Sequence, residues 1–234
     1  MTDTMGGEYR NARLRMMDLA STLTDDDASR VVRACPAWTI KDLFSHVTGI
    51  ATDLGAGNRP SGDVQAWVDA QVASRASRSL ASVVDEWATN APGFEAMIDA
   101  VPKQLWTLTY DTVVHEHDAF TAAGRRGERE SDGVVLAAEL GMKLVKSDLA
   151  RTGLGAFRAV IDGREHVVGE GDPTLTLRAT SFEALRLLGS RRTLDELRRA
   201  DFEGDLDTMV SGLLHMDLPE VSLGEDLQIG RAHV

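Results

Sequence analysis

Lys103-Gln104-Leu105-Trp106-Thr107-Leu108-Thr109-Tyr110-Asp111-Thr112-Val113-Val114-His115-Glu116-His117-Asp118-Ala119-Phe120-Thr121-Ala122-Ala123 reads as one helix with an unusual face. Leu105, Leu108, Asp111, His115, Asp118 and Ala122 recur at steps of three and four, which places them on a single stripe. The stripe is apolar at its ends and polar in the middle, where a bundle helix ordinarily buries aliphatic side chains. Buried polar groups need partners or ligands. The stretch therefore predicts a helix that joins a bundle and carries chemistry inside it.

Working outward, the other helices are read from periodicity and caps. Tyr9, Leu14, Met17, Leu19 and Leu23 recur at near-helical spacing, closed by Thr24-Asp25-Asp26-Asp27, where a short second helix can be capped. Ala34-Cys35-Pro36-Ala37 breaks the pattern. Thr39, with Asp42 three residues on, then forms a capping box for a helix with Leu43, Val47, Ile50 and Leu54 on one stripe, ended by Gly55-Ala56-Gly57-Asn58-Arg59-Pro60. Helical stretches follow around Ala66 to Arg75 and Leu80 to Asn90, with Pro92 expected to end or kink the latter. Beyond the opening stretch, Val135, Ala138, Met142, Val145 and Leu149 mark a further helix over Val134 to Leu149. Four or more long helices joined by moderate loops read as a helical bundle.

After Thr152 the character changes. Ala156 to Val160 and His166 to Val168 flank Asp162-Gly163, a strong hairpin signal, and Thr174 to Arg178 alternates as a third strand. Thr180 with Glu183, and Thr193 with Glu196, each have capping-box spacing for a short helix. The expectation is a mostly α chain: a four-helix bundle over residues 1–153 and a small α+β domain over 154–234, with Gln228 to Val234 as a loose tail.

Composition narrows the function classes. Lys and Arg number 25 against 37 Asp and Glu, a net charge of −12, which argues against a nucleic-acid partner. No run approaches the roughly 20 apolar residues that span a bilayer, and Met1 to Glu8 lacks a cationic start and apolar core, so no membrane partner and a cytoplasmic location are expected. The one cysteine, Cys35, excludes an internal disulfide and any site with two thiolate ligands.

The chemistry converges on three side chains. His46 lies on the buried stripe of its helix, between Leu43 and Ile50, while Asp111 and His115 share a face four residues apart. Two imidazoles and a carboxylate suit zinc, iron or nickel, with positions left open for water or substrate. Asp118, one turn beyond His115, is placed to accept a hydrogen bond from that ring. The same spacing also suits a surface ion pair between Asp111 and His115, with His46 a satisfied core histidine. His117 sits about 200° around the helix from His115, which suits a solvated or supporting role better than ligation. Cys35 precedes Pro36 just before a helix, whose dipole could lower its pKa, but it reads more readily as a small buried apolar residue. Arg191 and Arg192 suit either a clamp on a carboxylate of substrate or cofactor, or a solvated helix start paired with Asp195. Trp38, Trp67, Trp87 and Trp106 read as core residues, with Trp67 the one that could line a pocket.

Three motifs carry a family resemblance. Ala34-Cys35-Pro36 with Trp38-Thr39-Ile40-Lys41-Asp42-Leu43-Phe44-Ser45-His46-Val47-Thr48-Gly49 resembles the first signature of the mycothiol-dependent maleylpyruvate isomerase family, a branch of the DinB-like metal-binding bundles. Asp111 to Asp118, continued by Gly124-Arg125-Arg126-Gly127, is similar to the second. Ser181-Phe182-Glu183-Ala184-Leu185-Arg186 with Gly189-Ser190-Arg191-Arg192-Thr193 resembles a recurring C-terminal segment. The resemblance implies a DinB-like bundle and a divalent metal, usually zinc, on His46, Asp111 and His115. In the enzyme that names the family the carboxylate is Glu; here it is the shorter Asp. It further implies mycothiol as the cofactor, a small thiol that adds to the double bond of maleylpyruvate, permits rotation and leaves, while other members resemble thiol transferases. The implied partners are a small-molecule thiol and an electrophilic substrate, with a homodimer compatible. The competing expectation is a non-catalytic metal-binding or dimerising bundle of the same fold.

Overall fold

The computed structural model describes residues 4–226. In chain order these form helices α1 (Met5–Ser21), α2 (Asp25–Ala28), α3 (Ile40–Gly55), α4 (Val64–Ala73), α5 (Leu80–Ala100), α6 (Pro102–Ala122) and α7 (Asp132–Thr152), then strands β1 (Phe157–Ile161), β2 (Arg164–Val168) and β3 (Leu175–Ala179). Helices α8 (Ser181–Leu188) and α9 (Leu194–Arg199), strand β4 (Phe202–Gly204) and helix α10 (Leu206–Met209) complete them. Two compact units result, one ending at Gly127 and one beginning at Glu128. The expected loose tail lies outside the described residues. Among the described residues no helix is long and apolar enough to cross a membrane.

In the first unit α1, α3, α5 and α6 are the long helices, with α3 against α5 and α1 against both α5 and α6. Local sequence explains where they start. Thr39 and Asp42 form the full capping box of α3, Ser79 caps α5, and Pro102 occupies the first turn of α6, where a missing N–H costs nothing. The buried stripe of α1 is Tyr9, Ala12, Met16 and Leu19; Leu14 is half exposed, so the apolar spacing that includes it is one step out of register with the core. The Trp87 indole N–H donates to the Tyr9 hydroxyl at 2.7 Å, and Phe94 meets the Tyr9 ring edge-on at 5.2 Å. Helix α5 does not stop near Asn90: it runs through Pro92 to Ala100. A proline within a helix costs about 3 kcal/mol, and the next turns bury Phe94 and Ile98 fully, at about 1.5–3 kcal/mol each, which offsets it.

The second unit is a four-stranded sheet of order β2-β1-β3-β4 with helices. Asp162 and Gly163 both take positive φ, 47° and 77°, the left-handed pair a tight two-residue hairpin turn requires. β1 pairs antiparallel with β2 and parallel with β3, and β4, which the apolar pattern does not signal, pairs antiparallel with β3. Helix α7 belongs here, packed on α8. The expected division at 153/154 therefore gives way to one at 127/128. Hydropathy registers the change from helix to strand after Thr152, but a periodic stripe says only that α7 buries one face, not against which partner.

Candidate metal centre

Helices α3 and α6 touch in the first unit, and the polar residues singled out on each meet there. His46 Nε2 is 3.6 Å from Asp111 Oδ2, and His115 Nε2 is 3.4 Å from Asp111 Oδ1. The two imidazoles stand edge to face, their centroids 5.3 Å apart at 86°. One ligand atom from each of the three lies within 4.8 Å of the others. Both histidines are buried, whereas the Asp111 side chain is one-third exposed, so the carboxylate marks the open side.

Asp118 is fully buried and its Oδ2 is 3.1 Å from His115 Nδ1, the contact expected of it. That bond assigns a proton to Nδ1 and points Nε2 at Asp111. Burial raises the Asp111 pKa and lowers that of His115, but their mutual attraction outweighs both. Asp111, also beside His46, is held well below the usual carboxylate range, and His115, also beside Asp118 and Cys35, well above the usual imidazole range.

Donors bound at about 2.0–2.2 Å in a tetrahedral shell stand about 3.4 Å apart, so the separations above fit a divalent ion better than they fit hydrogen bonds. A buried atom points the same way: Asp111 Oδ2 has no hydrogen-bond partner among the described residues. The residues present thus fit the metal that the donor chemistry suggests.

A tight loop brings two further side chains to the site. Val31 bridges Thr39, the Val32 N–H donates to the Trp38 carbonyl at 2.9 Å, and the Trp38 N–H donates to the Cys35 carbonyl at 2.8 Å. The Trp38 indole lies 4.8 Å from the His46 ring and 6.1 Å from that of His115. Cys35, half-buried and free, groups with His115 and Asp118, their ligand atoms within 4.8 Å of one another. Spacing gave no sign of this role for Cys35, because a loop's tertiary path is not periodic. The one available signal was its place, with Trp38, directly before the capping box of the histidine-bearing helix.

Other expectations change. His117 is buried rather than solvated, beside Gly127, where a Cβ would come within 2.8 Å of its Nδ1. Of the four tryptophans only Trp87 fills the core; Trp38, Trp67 and Trp106 are half-buried. Arg191 and Arg192 are buried within the second unit, not poised as a clamp. Arg192 binds Glu183 at 3.0 Å and also Glu225, and Arg191 donates to the Gly189 carbonyl at 2.9 Å. Glu183 is drawn to Arg192, so Thr180 caps α8 without the reciprocal half of its expected box.

Fold and site define a class: helical bundles that carry two imidazoles and a carboxylate on facing helices. The mycothiol maleylpyruvate isomerase N-terminal domain matches residues 9–129, more than half of the sequence, and the chain belongs to that family. Among solved structures, the mycothiol-dependent maleylpyruvate isomerase aligns at 8% identity with a TM-score of 0.55, covering 80% of this chain and 88% of the other. A histidine-to-alanine variant of a protein so described aligns at 7% identity and a TM-score of 0.56, with the same coverage. At such identity these two show a shared fold. No curated protein matches.

Proposed function

We propose that this chain is a metal-dependent enzyme that works with a small thiol of the mycothiol type, as an S-transferase or an isomerase of an electrophilic substrate. The observation that carries the reading is the convergence of His46 Nε2, the Asp111 carboxylate and His115 Nε2 at 3.4 and 3.6 Å. A divalent ion held by these three, zinc, nickel or iron, would stabilise the thiolate of a thiol whose free pKa is about 8.5 and so supply a nucleophile at neutral pH. The chain's own residues bind and orient. His46 and His115 offer neutral nitrogens from two helices, Asp118 fixes the tautomer of His115, and the Trp38 indole keeps water from one face of His46. The exposed side of Asp111 is where thiol and electrophile would approach. The family name supports maleylpyruvate, an electron-poor alkene, as the first substrate to assay.

Protein purified without a metal-affinity tag should lose thiol-dependent turnover when stripped by a chelator and regain it with zinc; turnover that survives stripping, or His46→Ala, would overturn the proposal. A non-catalytic site differs in its open position: with cobalt substituted, added thiol should change the absorbance of an enzyme and leave that of a closed structural site unaltered. Asp118→Asn should weaken metal binding by about 10–100-fold, read by competition with a chelating dye, because the amide cannot hold the Nδ1 proton as a carboxylate does.

A further inference from the structure

We propose that Trp38 is the positioning residue of His46, doing by ring contact what Asp118 does for His115 by a hydrogen bond. The inference shares its binding readout with the metal reading above, and a second readout stands apart from it. A ligating histidine ordinarily has its other ring nitrogen bonded, which fixes tautomer and orientation. His115 follows that rule through Asp118 at 3.1 Å. His46 does not: its Nδ1 is buried and has no hydrogen-bond partner among the described residues. The torsion that turns an imidazole has broad, roughly two-fold minima, so an unbonded ring swings unless packing stops it, and Nε2 swings with it.

Trp38 supplies the stop. Its indole is tilted 36° to the His46 ring with centroids 4.8 Å apart, inside the range of offset aromatic pairs. The backbone that carries the indole is itself fixed. Backbone bonds from Val32 to Trp38 and from Trp38 to Cys35 close the loop, Val31 bridges Thr39, and Thr39 and Asp42 then lock the first turn of the helix that carries His46. Loop and histidine thus belong to one short, continuously braced stretch of chain. The second contact of the indole, 6.1 Å to the His115 ring at 50°, is longer and leaves that ring to Asp118.

The test uses the full chain and two readouts. In metal-free protein the carbon-bound ring protons of His46 should sit upfield under the indole ring current and move downfield in Trp38→Ala, while those of His115 move less. With cobalt alone as the probe, Trp38→Ala should weaken binding by about tenfold and Trp38→Phe, which keeps an aromatic face, by less. Trp38→Ala should cost nothing further in a His46→Ala background, whereas its effect should multiply with that of Asp118→Asn. Cobalt binding like wild type in Trp38→Ala, with unmoved His46 resonances, overturns the proposal. If Trp38→Ala does not fold, Trp38→Phe must show a smaller change of the same sign in both readouts, and no change overturns it. If the wild type takes up no cobalt, the metal reading fails and the His46 resonances alone decide the role of Trp38.

Discussion

His46→Ala combined with His115→Ala should yield protein without bound metal, where the wild type, purified without an affinity tag, carries close to one zinc, nickel or iron ion per chain. The two substitutions leave Asp111 as the last member of the donor set, and a single carboxylate competes poorly with water for a divalent ion. They also remove both ring neighbours of that carboxylate, at 3.4 and 3.6 Å. The helices lose little else, since alanine favours a helix and both positions lie mid-helix, in α3 and α6. Circular dichroism should therefore show the same helical content as wild type while elemental mass spectrometry shows the loss. Equal metal in both proteins would place the ion elsewhere. No metal in either, with no uptake of added zinc, would make the His–Asp–His group an internal ion pair of a scaffold protein, and would turn the search toward binding partners.

What could be read from sequence follows from how locally each feature is determined. A helix fixes which residues share a face, so Asp111, His115 and Asp118 were legible as one group, and His46 as inward-facing, from spacing alone. Caps are local too: Thr39 and Thr193 each close the box their spacing announces. Features set by distant partners were not legible. The parallel pairing of β1 with β3 and the short strand β4 have no local signal, and the arrival of Cys35 and Trp38 beside the histidines depends on the closure of the Val31–Thr39 loop. The burial of Arg192 has no local signal for the same reason. A cation next to a helix start looks solvated until Glu225, 33 residues on, is seen to cover it.

Glu225→Ala should destabilise the protein by about 3–5 kcal/mol, the usual cost of removing one partner from a buried ion pair. The Glu225 carboxylate accepts from Arg186 at 2.7 and 3.0 Å and also from Arg192, and the two guanidinium side chains are no more than 1% exposed. Without it two buried cations share the remaining carboxylate contacts, chiefly Glu183 on Arg192. Urea unfolding followed by circular dichroism measures the loss. All four tryptophans precede Gly127, so their fluorescence reports the first unit and serves as the internal comparison. Glu225→Gln separates charge from volume. Burial raises the Glu225 pKa, but Arg186 and Arg192 outweigh it and hold it at about 2, against an ordinary value of 4.5. A depressed carboxylate contributes stability that is complete above its unfolded pKa and is lost as pH falls through its folded one. Wild type should therefore exceed Glu225→Gln by on the order of 3 kcal/mol at neutral pH, with the gap closing between pH 4.5 and about 2. Parallel pH profiles for the two proteins would show that Glu225 acts through its shape and not its charge.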